Sequence, residues 1–91
     1  MSYQDPFTRR DYQRALDSQS ACNPGALALS LSRFQGQIHD AGGSTDLVRQ
    51  HPIIRLVAYQ IAWLTGMTGI GDSKWQHAYQ ACRDIAAHDT P

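Results

Sequence analysis

Glutamate is absent from this 91-residue chain, and lysine occurs once, at Lys74. All eight acids are therefore aspartate, and seven of the eight bases are arginine. Neither sign of charge is in excess: the formal net charge is zero and the pI about 6.9. Non-specific nucleic-acid binding rests on phosphate neutralisation and leaves a basic imbalance, so this balance argues against that class. It also gives little colloidal repulsion, which eases self-association. Two cysteines, Cys22 and Cys82, carry no disulfide signature, although one bridge between them is geometrically conceivable. No apolar run approaches the roughly 20 residues that a membrane-spanning helix requires. There is no CxxC, no HExxH, no internal repeat, no low-complexity tract and no alternating run long enough for a useful strand.

What remains is globular. Apolar residues make up 42% and charged residues 18%, values that exclude a disordered chain. Ninety-one residues predict one domain, 1–91, which buries about 60–65% of its unfolded surface and so has a small stability margin. Nine glutamines stand where Glu and Lys would usually be found. A GC-rich coding bias accounts for this skew; a weakly hydrated Arg and Gln surface suited to a partner is the functional alternative. The segment MSYQDPFTRRDYQR is polar throughout, so the expectation is a cytoplasmic protein with reduced thiols.

The most informative stretch is Pro52 to Leu64, PIIRLVAYQIAWL. Its two strongly polar side chains, Arg55 and Gln60, lie about 140° apart around a helix. A helix apolar on nearly every side is buried within a domain or shared with a partner. Ile53, Val57, Ile61 and Leu64 form one stripe, and Leu56, Tyr59 and Trp63 a second. His51-Pro52 opens this helix and Gly66 closes it, giving a span of 52–65.

Similar punctuation sets the other elements. Asp5-Pro6 reads as an N-cap followed by Pro at the first helical position, predicting a helix over 6–21 with Phe7, Tyr12, Ala15, Leu16 and Cys22 inward. Asn23-Pro24 repeats the device and predicts a helix over 24–40, with Leu27, Leu31, Phe34 and Ile38 inward and a glycine stop at Gly42-Gly43. Ser44 or Thr45 caps a short helix near 45–50. The glycine-rich linker Gly66 to Gly71 is expected to be mobile. A last helix over 73–87, capped by Asp72 or Ser73, presents Trp75, Ala78, Tyr79, Cys82, Ile85 and Ala86, and the chain frays from His88. The predicted fold is an all-α bundle of four main helices and one short one around 52–65.

Candidate chemistry is sparse. His39, His51, His77 and His88 lie in different elements with no metal-ligand spacing, so no metal or cofactor is expected. Asp84 and His88 are four apart, but such a pair at a helix end reads as an ion pair. Both cysteines fall on predicted apolar faces and read as core. Glycines before Asp72-Ser73-Lys74 come in the wrong order for a phosphate loop. No catalytic residue is assigned; an enzyme would require a cleft uniting His51 or His77 with a cysteine or an aspartate. The turns at Cys22-Asn23-Pro24 and Gln50-His51-Pro52 suit a helix-turn-helix, yet the helices after them lack a basic face. Arg9, Arg10 and Arg14 cluster, with Asp5, Asp11 and Asp17 interleaved.

Protein binding fits these features with least strain. The 52–65 helix has more apolar circumference than three short neighbours cover, and Trp63, Trp75, Tyr59 and Tyr79 are aromatics of the kind that serve either core or interface. Arg9, Arg10, Arg14, Arg33, Tyr12 and Trp75 are the candidate contact residues. A homodimer would also cover the excess apolar surface. The alternative is a nucleic-acid-associated accessory protein using the basic first helix.

The segments DYQRALDSQSACN, GALALSLSRF, TDLVRQHPIIRLVAYQIAWLTG and KWQHAYQAC resemble small helical proteins encoded by bacteriophages and other bacterial mobile elements, over residues 11 to 83. The resemblance implies a non-enzymatic protein without cofactors that binds a host protein and inhibits a defence complex, as anti-CRISPR proteins do. Many of those mimic DNA with dense carboxylates. This chain departs from that pattern with its zero net charge, which leaves occlusion of a protein surface.

Overall fold

The computed structural model describes residues 3–66 and 72–87. Among them the chain forms α1 (Arg9–Asp17), a 3-10 turn (Ser18–Ser20), α2 (Pro24–Asp40), α3 (Thr45–Gln50), α4 (Pro52–Leu64) and α5 (Asp72–Ala87), with no strand. The fold is the all-α bundle that the apolar periodicity predicts. No helix among the described residues is long and apolar enough to cross a membrane. The last helix begins at Asp72 rather than 73, so the expected caps Asp72 and Ser73 lie within it; the linker beyond Gly66 and the tail from His88, including its pairing with Asp84, lie outside the described residues.

Local chemistry explains most boundaries. Asn23 Oδ1 accepts from the Gly25 and Ala26 N–H groups, and Pro24 fills the first position of α2. That helix stops at a Schellman motif: the Gly42 N–H donates to His39 and the Gly43 N–H to Ile38, with Gly42 at φ +88°. Ser44 caps α3 by accepting from the Leu47 N–H. His51 caps α4 through its ring, with Nδ1 accepting from the Ile53 N–H at 3.1 Å.

The first helix departs from expectation. It starts at Arg9 rather than residue 6, because Thr8 and Asp11 form a reciprocal capping box: Thr8 Oγ1 accepts from the Asp11 N–H, and Asp11 Oδ2 from the Thr8 N–H. It ends at Asp17 rather than 21. Ser18 and Ser20 donate their hydroxyls back to the Ala15 and Asp17 carbonyls, and the chain tightens into a 3-10 turn. That turn breaks the helical phase, so Cys22 is exposed rather than part of the apolar face.

Helix α4 lies between two pairs of neighbours, α1 with α5 and α2 with α3. Ile53, Leu56 and Val57 are fully buried, each contributing about 1.5–3 kcal/mol of transfer free energy. Phe7 touches both Phe34, late in α2, and His51, at the start of α4, while Gln60 bonds to Ala21 just before α2. Helices α2 and α4 therefore run antiparallel. On α2 the expected stripe packs inward: Leu27, Phe34 and Ile38 are buried and Leu31 half-buried. On α5, Ala78 and Cys82 are buried and Trp75, Tyr79 and Ala86 half-buried, whereas Ile85 turns out to be exposed.

Candidate interaction surface

Three side chains that the sequence keeps far apart meet where the N-terminal segment crosses the α3–α4 corner. The Tyr12 hydroxyl donates to Asp5 Oδ2, and the same oxygen accepts from His51 Nε2 at 3.2 Å. Because His51 Nδ1 already accepts from Ile53, the neutral ring carries its proton on Nε2 and donates it to Asp5. Burial works against the Asp5 carboxylate, but the bonds from Tyr12, the Phe7 N–H and His51 outweigh it and hold its pKa below the ordinary value. Tyr12 is pushed the other way, by burial first and then by its bond to Asp5, so its phenol stays protonated.

An aspartate does therefore meet His51, as an acid–base site would require. The geometry nevertheless uses both ring nitrogens internally, one on Ile53 and one on Asp5. The His51 side chain is 9% exposed and Tyr12 3% exposed. This constellation fastens the N-terminal segment to the bundle; it offers no free proton donor or acceptor on the ring to a substrate.

A second polar group ties the 3-10 turn to α4 and α5. Gln60, buried, donates to the Gln19 and Ala21 carbonyls, and Trp75 Nε1 donates to Gln19 Oε1 at 2.8 Å. Trp75 also lies against Tyr79, with ring centroids 5.1 Å apart. Trp75 is thus half-buried and held by the bundle. Tyr12, also a sequence candidate for contact, belongs to the core; its stripe faces α4 and α5, which withdraws it from the surface.

The arginine candidates do lie outside. Arg9, Arg10 and Arg14 are exposed on α1, and Arg14 approaches Asp11 at 3.9 Å. Arg33 is exposed on α2, which does not pack extensively on α1. An open groove runs between α1 and α5, lined by half-buried Leu16, Tyr79 and Ala86 and by exposed Gln13, Asp17 and Arg83. Among the described residues no cluster of three metal-ligating side chains occurs. Cys82 is fully buried, and burial pushes its thiol up to about 12, which removes it as a nucleophile at neutral pH.

One feature stands out from the polar surface. Trp63 is 74% exposed, although it follows Leu56 and Tyr59 on the second stripe of the central helix. Leu56 is covered by neighbours and Tyr59 partly so, but the stripe emerges into solvent at Trp63, in the last turn of α4. Leu29, 69% exposed, projects from the side of α2 opposite its buried face. The sequence shows Trp63 to be on an over-apolar helix; a helical wheel does not show where the neighbours stop. No protein-family model, curated protein or solved structure matches the chain significantly.

Proposed function

We propose that this protein is a non-catalytic interaction protein that works by binding the surface of another protein, with Trp63 at the centre of contact. The observation that carries the reading is the exposure of Trp63 at the end of a helix whose other large apolar residues are covered. A tryptophan buries roughly 150–250 Å² when covered, and tryptophan is enriched among residues that dominate binding energy. Covering three-quarters of such a side chain yields about 3–5 kcal/mol before the costs of association. That is enough to anchor a complex when a polar rim surrounds it.

In its specific form, the proposal is that of a phage or mobile-element protein occluding a surface of a host protein, in the manner of a defence inhibitor. The resemblance of the helical segments supports that form, and the zero net charge favours occlusion of a protein over mimicry of DNA. Nucleic-acid binding draws no added support from the placement of the arginines, which are divided between α1 and α2.

The test is a paired affinity capture from bacterial lysate with wild type and Trp63→Ala, after both show the same cooperative melt. A protein retained at stoichiometric amounts by wild type and reduced at least tenfold by the variant supports the reading. Equal retention by both, or no stoichiometric partner, refutes it. Mass in solution identifies the case in which the partner is a second copy: wild type would then be dimeric and Trp63→Ala monomeric.

A further inference from the structure

Residues 3–8 run to α1 without regular secondary structure. Their amide bonds are local, from Phe7 to Asp5 and from Thr8 to Asp11, and among the described residues no backbone–backbone bond joins residues 3–7 to the bundle. Side chains make the attachment. Tyr3 lies against Ile38 and Gly43, and its ring approaches to 3.0 Å from where a Cβ on Gly43 would stand. Asp5 bonds to Tyr12 and His51. Phe7 sits edge-on to Phe34 at 5.5 Å and to His51 at 4.9 Å.

One of these attachments is imperfect. The Tyr3 hydroxyl is buried and has no hydrogen-bond partner among the described residues. A hydroxyl removed from water without a partner opposes the closed arrangement, and it regains its hydrogen bonds as soon as the segment lifts. A segment held by few side chains, without a backbone ladder, belongs to the low-stability end of a structure.

We propose that residues 3–7 are a releasable strap, latched by the Asp5 carboxylate, that opens as a unit while the helical body, with Thr8 as the cap of α1, stays folded and uncovers a cleft formed by Phe34, Tyr12 and His51. The ionisable groups facing the latch are Tyr12 from α1, His51 from the start of α4 and Tyr3 from the strap itself; Cys82 of α5 faces Tyr12 from behind. From α2 the strap meets Phe34 and Ile38, which do not titrate.

The latch and the cap of α4 respond to different protons. A proton added at His51 Nδ1 would meet the Ile53 N–H and loosen the first turn of α4, yet Nε2–H would still face Asp5. A proton added to Asp5 itself removes the negative charge and occupies one of the two oxygens that accept the three bonds, which weakens all of them. Since the folded carboxyl titrates below its ordinary value, the strap holds at neutral pH and through mild acid, and releases as pH falls through that lowered value. His51 and Trp63 stand about 18 Å apart along the axis of α4, so the strap does not rest on the interaction surface proposed above.

Amide exchange and ring-to-ring cross-peaks, followed by NMR, test this. Asp5→Asn at neutral pH is expected to erase the Phe7–Phe34 cross-peaks and to speed Phe7 amide exchange at least tenfold. The Val57 and Cys82 amides should keep their wild-type rates. Tyr3→Phe, which removes the unpaired hydroxyl, should preserve or slow strap exchange. In wild type, acidification should erase the Phe7–Phe34 contact before the Val57 amide loses protection. The proposal is overturned if Asp5→Asn leaves the strap unchanged, or if strap and body accelerate in the same ratio. It is equally overturned if Tyr3→Phe quickens strap exchange, or if acid releases strap and body together.

Discussion

Leu56 and Trp63 are seven residues apart on α4, which sets them within about 20° of each other around the helix, yet they differ completely in exposure. Leu56 is fully buried; Trp63 is 74% exposed. Truncating each to alanine should therefore give opposite results. Leu56→Ala deletes side-chain atoms in contact with neighbours on several sides and leaves a cavity, for which about 2–5 kcal/mol is expected. For Trp63→Ala the covered area is about a quarter of a side chain that buries 150–250 Å² in full, or roughly 40–65 Å². At 25 cal/mol per Å² this is at most about 1–1.6 kcal/mol, and the better helix propensity of alanine returns a few tenths. A net loss under about 1 kcal/mol follows. In a domain of this size each kcal/mol moves the melting point by about 4–8 °C, so the two variants separate readily. Urea denaturation followed by far-ultraviolet circular dichroism measures both. If Trp63→Ala destabilises as much as Leu56→Ala, the exposed tryptophan is part of the core and the proposed contact surface loses its centre.

Three further outcomes are expected. Gly43→Ala should destabilise by about 1–3 kcal/mol, because its Cβ would stand 2.4 Å from Ile38 Cγ2 and 2.9 Å from the Ile38 carbonyl oxygen; an unchanged denaturation midpoint would contradict the packing. Tyr12→Phe should cost about 1 kcal/mol at neutral pH, the lower end for a bond to a charged acceptor because Asp5 is partly exposed. Since the folded Asp5 carboxyl titrates below its unfolded value, its stabilisation is complete above the unfolded value and is lost as pH falls through the folded one. The gap between wild type and Tyr12→Phe should accordingly close in acid, and a gap that widens there would refute the assignment. Iodoacetamide should label one thiol in the native protein, exposed Cys22, and two after denaturation; rapid native labelling of Cys82 would show that its site is open.

The amino-acid sequence by itself determined those parts of the molecule that depend on neighbours within a few residues. Asn23-Pro24, His51-Pro52 and Gly42-Gly43 each carry their own capping or stopping chemistry, so α2, α3 and α4 begin and end within a residue of the spans they predict. The buried stripe Leu27, Phe34 and Ile38 follows from helical spacing in the same way. The start of α1 does not. Asp5-Pro6 has the form of a helix opening, but the Asp5 carboxylate is engaged by Tyr12 and by His51, 46 residues away, and the start passes to Thr8. Tertiary structure also decided which apolar residues are covered. Periodicity assigns Trp63 and Leu56 to one stripe, and assigns Cys22 and Tyr12 to another. Neighbouring helices cover Leu56 and Tyr12, while Trp63 stands beyond their reach and Cys22 follows a turn that breaks the phase. A stripe is a property of one helix; its burial is set by the length and placement of the others.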